Sequence, residues 1–332
     1  MERDYRFDVA RVICMTYIVA FLHLYGYIYD TISANVIPWC RILCDSCLGL
    51  FTFISGYLLG KKYNFGTDGS RIKDFYFNRV IRIIPLFLLA SLALWLIGFN
   101  SAKATINGIL CLSPFVSIRP MTLWYIPVII ICYLITPLVC RYGFIYRVAV
   151  SLCVILLVMV IGVIRSIDYR FIFNLLFYLL GLVTAPYLSW RFPIKAGIYI
   201  KCLVVIVFII ALVFCRYLSY YQKIAVSSLG TFAVLFACET ITNKILPKGI
   251  KKNDNRDKHA LIDFVKHVSY ASMVVYMFHR LFFWVGESLW NPANTTIKWI
   301  YMAGVVFPIM IVISYYIQFV YDWLVKKVIK QS

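Results

Sequence analysis

Hydrophobic and polar positions divide this chain into a succession of apolar runs separated by short, mostly basic connections. Each run is close to the roughly 20 residues that a helix needs to cross about 30 Å of hydrocarbon. The runs predict helices over 8–29, 36–60, 75–99, 124–141, 145–165, 171–188, 196–218, 225–243, 268–290 and 299–322. That is an all-α polytopic membrane fold of about ten transmembrane helices. It forms a single domain over 1–332 with one hydrophilic connection of note, the basic stretch 244–267. Within that stretch "KGIKKNDNRDKHALIDFVKH" (248–267) reads as a cytoplasmic loop running into a short interfacial helix. The first apolar run is too long for a cleavable signal and contains His23, so it stays as the first helix.

Composition sharpens the class. Apolar residues make up 63% and charged residues 14% of the 332 positions, against about 45–50% and about 25% in soluble domains. The formal net charge of +19 is no nucleic-acid signature, because Lys and Arg sit between apolar runs and form no basic stripe with interleaved aromatics. They act as topology signals instead. With the N-terminus inside, most basic loop residues fall on the cytoplasmic side, while Lys103, Arg119, Arg165, Arg170, Arg216, Lys223 and Lys298 fall outside. Both termini are then cytoplasmic. The chain ends shortly after its last apolar run, so no fused extracytoplasmic domain is expected, and any second transfer step falls to a separate partner.

Polar residues inside spans carry the chemistry, since charge is costly there and faces a polar interior. Arg79 and Arg82 in "FNRVIRIIPLF" (77–87) are three apart and share a helix face. They lie only about 6–10 Å below the cytoplasmic surface. Such a pair either holds a ligand arriving from the cytoplasm or snorkels to headgroup phosphates. His23 lies about 22 Å along the first span and His279 near the midplane of the ninth. A buried histidine can take a proton from a hydroxyl, or can be a neutral side chain satisfied by a neighbouring helix. Arg41 and Asp45, at i and i+4, are expected to form an internal ion pair, and Glu239 is ambiguous. Cys40, Cys44 and Cys47 read as small apolar groups, and no metal site is expected.

No GxSxG, P-loop, HExxH or GxGxxG signature is present. Dispersed helix residues must therefore do the work. "FDVARVICMTYIVAFLH" (7–23), "FTFISGYLLG" (51–60), "FNRVIRIIPLF" (77–87), "LWYIPVIIICYLITPL" (123–138) and "SYASMVVYMFH" (269–279) follow one another along nearly the whole chain. Together they resemble the successive signatures of the acyltransferase 3 family of bacterial membrane-bound O-acyltransferases.

The resemblance implies an enzyme of the bacterial cytoplasmic (inner) membrane. It would take an acyl group, usually acetyl, from cytoplasmic acetyl-CoA and place it on a hydroxyl of an extracytoplasmic or lipid-linked glycan. Arg79 and Arg82 match the family's R-x-x-R pair, associated with the acyl-CoA. His23 matches its first-helix catalytic histidine and Arg11 the arginine before it, while His279 closes the last matching block. His23 acts as a base or as a transient nucleophile. The alternative from another class is a transporter or flippase that moves an acyl donor or a glycan through the same cavity.

One departure from the family carries a structural expectation. The family separates the first-helix arginine and histidine by ten residues, whereas eleven lie between Arg11 and His23. On an ideal helix that turns them about 120° apart instead of about 20°. A π-bulge absorbs one inserted residue, so an irregularity is expected between Arg11 and His23. Gly56 reads as a close helix-packing position. Trp124 and Tyr125 read as an interfacial aromatic belt, with stacking on a sugar ring as the alternative.

Overall fold

A computed structural model describes residues 4–28, 37–165, 167–187, 197–214, 218–245 and 256–331. The described residues are 84% helical and contain no strand. In chain order the helices are α1 (Tyr5–Ile28), α2 (Ile37–Lys62), α3 (Gly69–Leu96), α4 (Ala102–Ile109), α5 (Tyr125–Val139), α6 (Phe144–Arg165), α7 (Tyr169–Thr184), α8 (Gly197–Val213), α9 (Tyr220–Ile245) and α10 (Arg256–Leu289). The last, α11, runs from Thr295–Tyr301 through a π-helical stretch, Met302–Val306, into Phe307–Gln331.

Seven of these helices are long and apolar enough to cross a membrane: α1, α2, α3, α6, α9, α10 and α11. The three remaining expected spans correspond to shorter apolar helices, Tyr125–Val139, Tyr169–Thr184 and Tyr199–Val213. At 1.5 Å per residue the 15-residue α5 and 16-residue α7 reach only about 23–24 Å, short of the hydrocarbon thickness. The basic stretch differs from its expectation. Its described C-terminal part forms no separate interfacial helix; it opens the 34-residue α10, while 246–255 lies outside the described residues.

Helix ends follow local chemistry. Asp4, Asp68, Ser101, Asp168 and Asn294 cap α1, α3, α4, α7 and α11, each side chain accepting from a backbone N–H of the first turn. At the end of α3, Gly98 takes φ +75°, the left-handed turn that lets Gly98 and Phe99 bond back to Trp95 and Leu94.

The chain divides into two compact units. The first comprises Met1–Cys47, Lys201–Tyr217 and Leu229–Ser332. Its centre is α10, packed along α11 and α1. Asp8 of α1 accepts a 2.7 Å bond from the Ser269 hydroxyl of α10. Glu239 is ion-paired with Lys201 at 2.7 Å, which gives that ambiguous carboxylate a structural partner. Arg41 and Asp45 have contrasting environments, an exposed guanidinium and a buried carboxylate.

The second unit comprises Leu48–Ile200 and Leu218–Ser228. There α7 packs against α5 and α6, and α2 meets α7 through small residues. A Cβ on Gly56 would strike the Tyr178 carbonyl, one on Gly60 would lie 2.7 Å from the Leu182 carbonyl, and one on Gly181 would lie 2.7 Å from the Tyr57 nitrogen. This is the close backbone approach expected at Gly56, extended by Gly60 into a G-x-x-x-G face. Arg147, at the start of α6 and only 4% exposed, secures the same helix pair. Its guanidinium donates to the carbonyls of Gly60 (3.1 Å), Leu182 (3.2 Å) and Tyr63 (3.1 Å). A cation at two helix C-terminal ends satisfies their orphan carbonyls and complements both dipoles.

Candidate active site

The expected irregularity in the first span is present as a π-helical stretch, Tyr17–His23. It starts after the regular turn that carries Arg11 and ends on the histidine. Absorbing one residue brings the predicted offset of Arg11 and His23 from about 120° back towards about 20°. The two still lie roughly 18 Å apart along the axis, so a shared face does not bring them into contact. Arg11 is half-buried on α1.

What the π stretch does achieve is a ring pair. The His23 imidazole lies parallel to that of His279 on α10, with centroids 4.7 Å apart and planes within 3°. His279 is fully buried and its Nδ1 lies 2.8 Å from the Tyr276 carbonyl oxygen. A carbonyl only accepts, so Nδ1 carries the proton and Nε2 presents its lone pair. Phe283 packs edge-on against the same ring. Beside it, Arg280 lies 5.2 Å from the Tyr27 ring, and the Tyr27 hydroxyl donates to the Arg280 carbonyl at 3.3 Å.

Two nitrogens of this pair are open: His23 Nδ1 and His279 Nε2 are buried without a hydrogen-bond partner. Nearly all buried polar atoms in folded proteins are satisfied. Each of the two open nitrogens on the stacked imidazoles can therefore take one further hydrogen bond.

In the second unit, Arg79 and Arg82 take different environments on α3. The Arg79 guanidinium lies 5.2 Å from the Tyr133 ring and 5.7 Å from that of Phe75. Arg82 is exposed at the head of a stripe that continues with Pro85, Leu89, Leu92 and Leu96. Among the described residues neither makes an ion pair with a carboxylate.

The comparison with known families settles the class. A family model described as an acyltransferase domain matches residues 4–319. The chain belongs to the acyltransferase 3 family. Neither the curated proteins nor the solved structures contain a match. The match makes this multi-pass protein an acyltransferase.

One expectation for the acyltransferase needs correcting. Trp124 and Tyr125 are buried, and the Arg170 guanidinium lies 4.1 Å from the Trp124 ring centroid. They form neither an exposed belt nor an open sugar platform. Cys40, Cys44 and Cys47 form no disulfide, and among the described residues no cluster could hold a metal ion. Sequence reasoning missed the stacking of His23 on His279, the Asp8–Ser269 tie and the second π stretch in α11. The signal for the tie was available: "FDVAR" puts a carboxylate one turn before Arg11. Glycine in "MAGVV" marked the second π stretch only weakly.

Proposed function

We propose that this acyltransferase moves an acetyl group from cytoplasmic acetyl-CoA to a hydroxyl of an extracytoplasmic or lipid-linked glycan. In this reading it sits in the bacterial inner membrane as about ten transmembrane helices, with both termini on the cytoplasmic side. The observation that carries the reading is the buried His23–His279 pair with its two open nitrogens, inside a chain of this family.

One imidazole accepts the proton of the acceptor hydroxyl as its oxygen attacks the thioester carbonyl. The new C–O ester bond forms, the C–S bond breaks, and the CoA sulfur leaves with its electron pair and takes the proton from the imidazolium. Arg79 and Arg82 hold the phosphates of the donor, a task suited to guanidinium groups. Arg11 orients a polar part of the donor or acceptor from the same face of α1 as His23.

The test is transfer of labelled acetyl from acetyl-CoA by the purified protein in nanodiscs to a panel of bacterial glycans. Wild type labels a glycan. Arg79→Ala/Arg82→Ala weakens acetyl-CoA binding, and His23→Ala abolishes transfer while leaving that binding. Intact acetyl-CoA binding by the double arginine variant would overturn the donor assignment.

A further inference from the structure

A charged cluster in the second unit has no role in the chemistry above. Asp168, the N-cap of α7, is almost fully buried, its side chain 7% exposed. It accepts from the Arg119 guanidinium, from the Arg170 backbone N–H at 3.0 Å, and from Arg170 Nε (3.1 Å) and Nη2 (2.6 Å). Its backbone N–H donates to the Pro114 carbonyl at 3.2 Å. Four lone-pair positions on one carboxylate are then filled. Two guanidinium groups share a single negative charge, and Lys223 adds another cation 6.0 Å from the Tyr169 ring.

The two arginines are not equivalent. Arg170 is committed on both sides, to Asp168 and to the Trp124 face. Arg119 is 34% exposed and spends one Nη on Asp168, and its other N–H groups have no partner among the described residues. Next to it, Asn100 accepts from the Met121 backbone N–H at 3.2 Å, while its own Nδ2 is buried with no partner. A second unspent donor therefore borders the same loop. The rim is apolar, with Phe115, Ile118 and Met121 exposed, a surface suited to lipid chains.

We propose that the Arg119–Asp168–Arg170 cluster is a binding site for a lipid-borne phosphate. Asp168 and Trp124 fix Arg170 so that the surplus positive charge is offered through Arg119, whose fork matches phosphate oxygens. Two sources supply this chemistry at a membrane surface, a phospholipid headgroup and the diphosphate of a lipid-linked glycan. The second rests on the acceptor named above; the site itself does not.

The test is binding to the purified full-length protein in detergent by native mass spectrometry, with phosphatidylglycerol, a prenyl diphosphate and inorganic pyrophosphate as probes. Arg119→Gln is expected to weaken the lipid-phosphate complex at least tenfold. Asp168→Asn, which keeps a capping side chain and removes the competing carboxylate, is expected to hold it as tightly as wild type or more so. A purely structural clamp gives the opposite pattern, with Asp168→Asn as damaging as Arg119→Gln or with neither changing binding, and either result overturns the site. Arg119→Lys, which keeps the charge and loses the fork, should fall between wild type and Arg119→Gln, and it carries the test if Arg119→Gln does not fold. Equal binding of inorganic pyrophosphate would overturn the lipid-borne source. A preference for the prenyl diphosphate identifies the glycan carrier, and equal affinity for both lipids identifies a headgroup, each upholding the site.

Discussion

Arg147 and the His23–His279 pair are both buried polar groups in an apolar fold, and they differ in what surrounds them. Arg147 is bonded through each of its three guanidinium nitrogens, to the carbonyls of Tyr142, Gly60, Leu182 and Tyr63. The histidines keep one open nitrogen each. Burial alone therefore does not mark function. A buried cation bonded to backbone carbonyls through every nitrogen serves as a structural tie, whereas the stacked imidazoles each keep a nitrogen to which the proposed chemistry gives a use.

That contrast makes stability the currency of one region and activity that of the other. Arg147→Ala should be the most destabilising change, costing about 3 kcal/mol or more by leaving helix-end carbonyls unpaired; thermal melting in detergent measures it, and an unchanged melt would remove Arg147 from the structural side. Gly56→Leu should follow, at roughly 1–3 kcal/mol, because its side chain has no room against Tyr178. Gly286→Ala should cost about 1 kcal/mol, since its Cβ would lie 2.8 Å from a Val306 methyl in the π stretch of α11.

The smallest effect is that of pH on Asp168. Burial raises its carboxyl, but the Arg170 hydrogen bonds and the charges of Arg170 and Arg119 outweigh this and hold it below the ordinary carboxylate range. A depressed folded value gives stability that is present above about pH 4 and lost as pH falls below it. The melting-temperature gap between wild type and Asp168→Asn should therefore stay constant from pH 7 to pH 5 and narrow only in stronger acid, as the carboxylate is protonated. A gap that already narrows at pH 6 would contradict the assignment.

The sequence made much of this legible where the signal was local. Apolar runs located all ten described apolar helices because hydrocarbon burial imposes length and composition directly. The one-residue excess between Arg11 and His23 located the π stretch because helical phase is arithmetic. Gly56 was readable as a packing position, since nothing else tolerates backbone contact. Other features depended on partners far along the chain. Arg147 looked like any basic loop residue, because a topology signal and a helix-end cap use the same cation at the same boundary. Trp124 looked exposed until Arg170 was found on its face. His279 was singled out, but its parallel contact with His23 needs α1 and α10 side by side.

The most direct test of the central contrast is to measure acetyl transfer and thermal melting together on His23→Ala. Open nitrogens that serve chemistry predict a transfer rate lower by about 10²–10⁴ with a melting temperature within a degree or two of wild type. Loss of both together would show that the stacked histidines hold the fold, and transfer that survives would show that His23 does not move the proton.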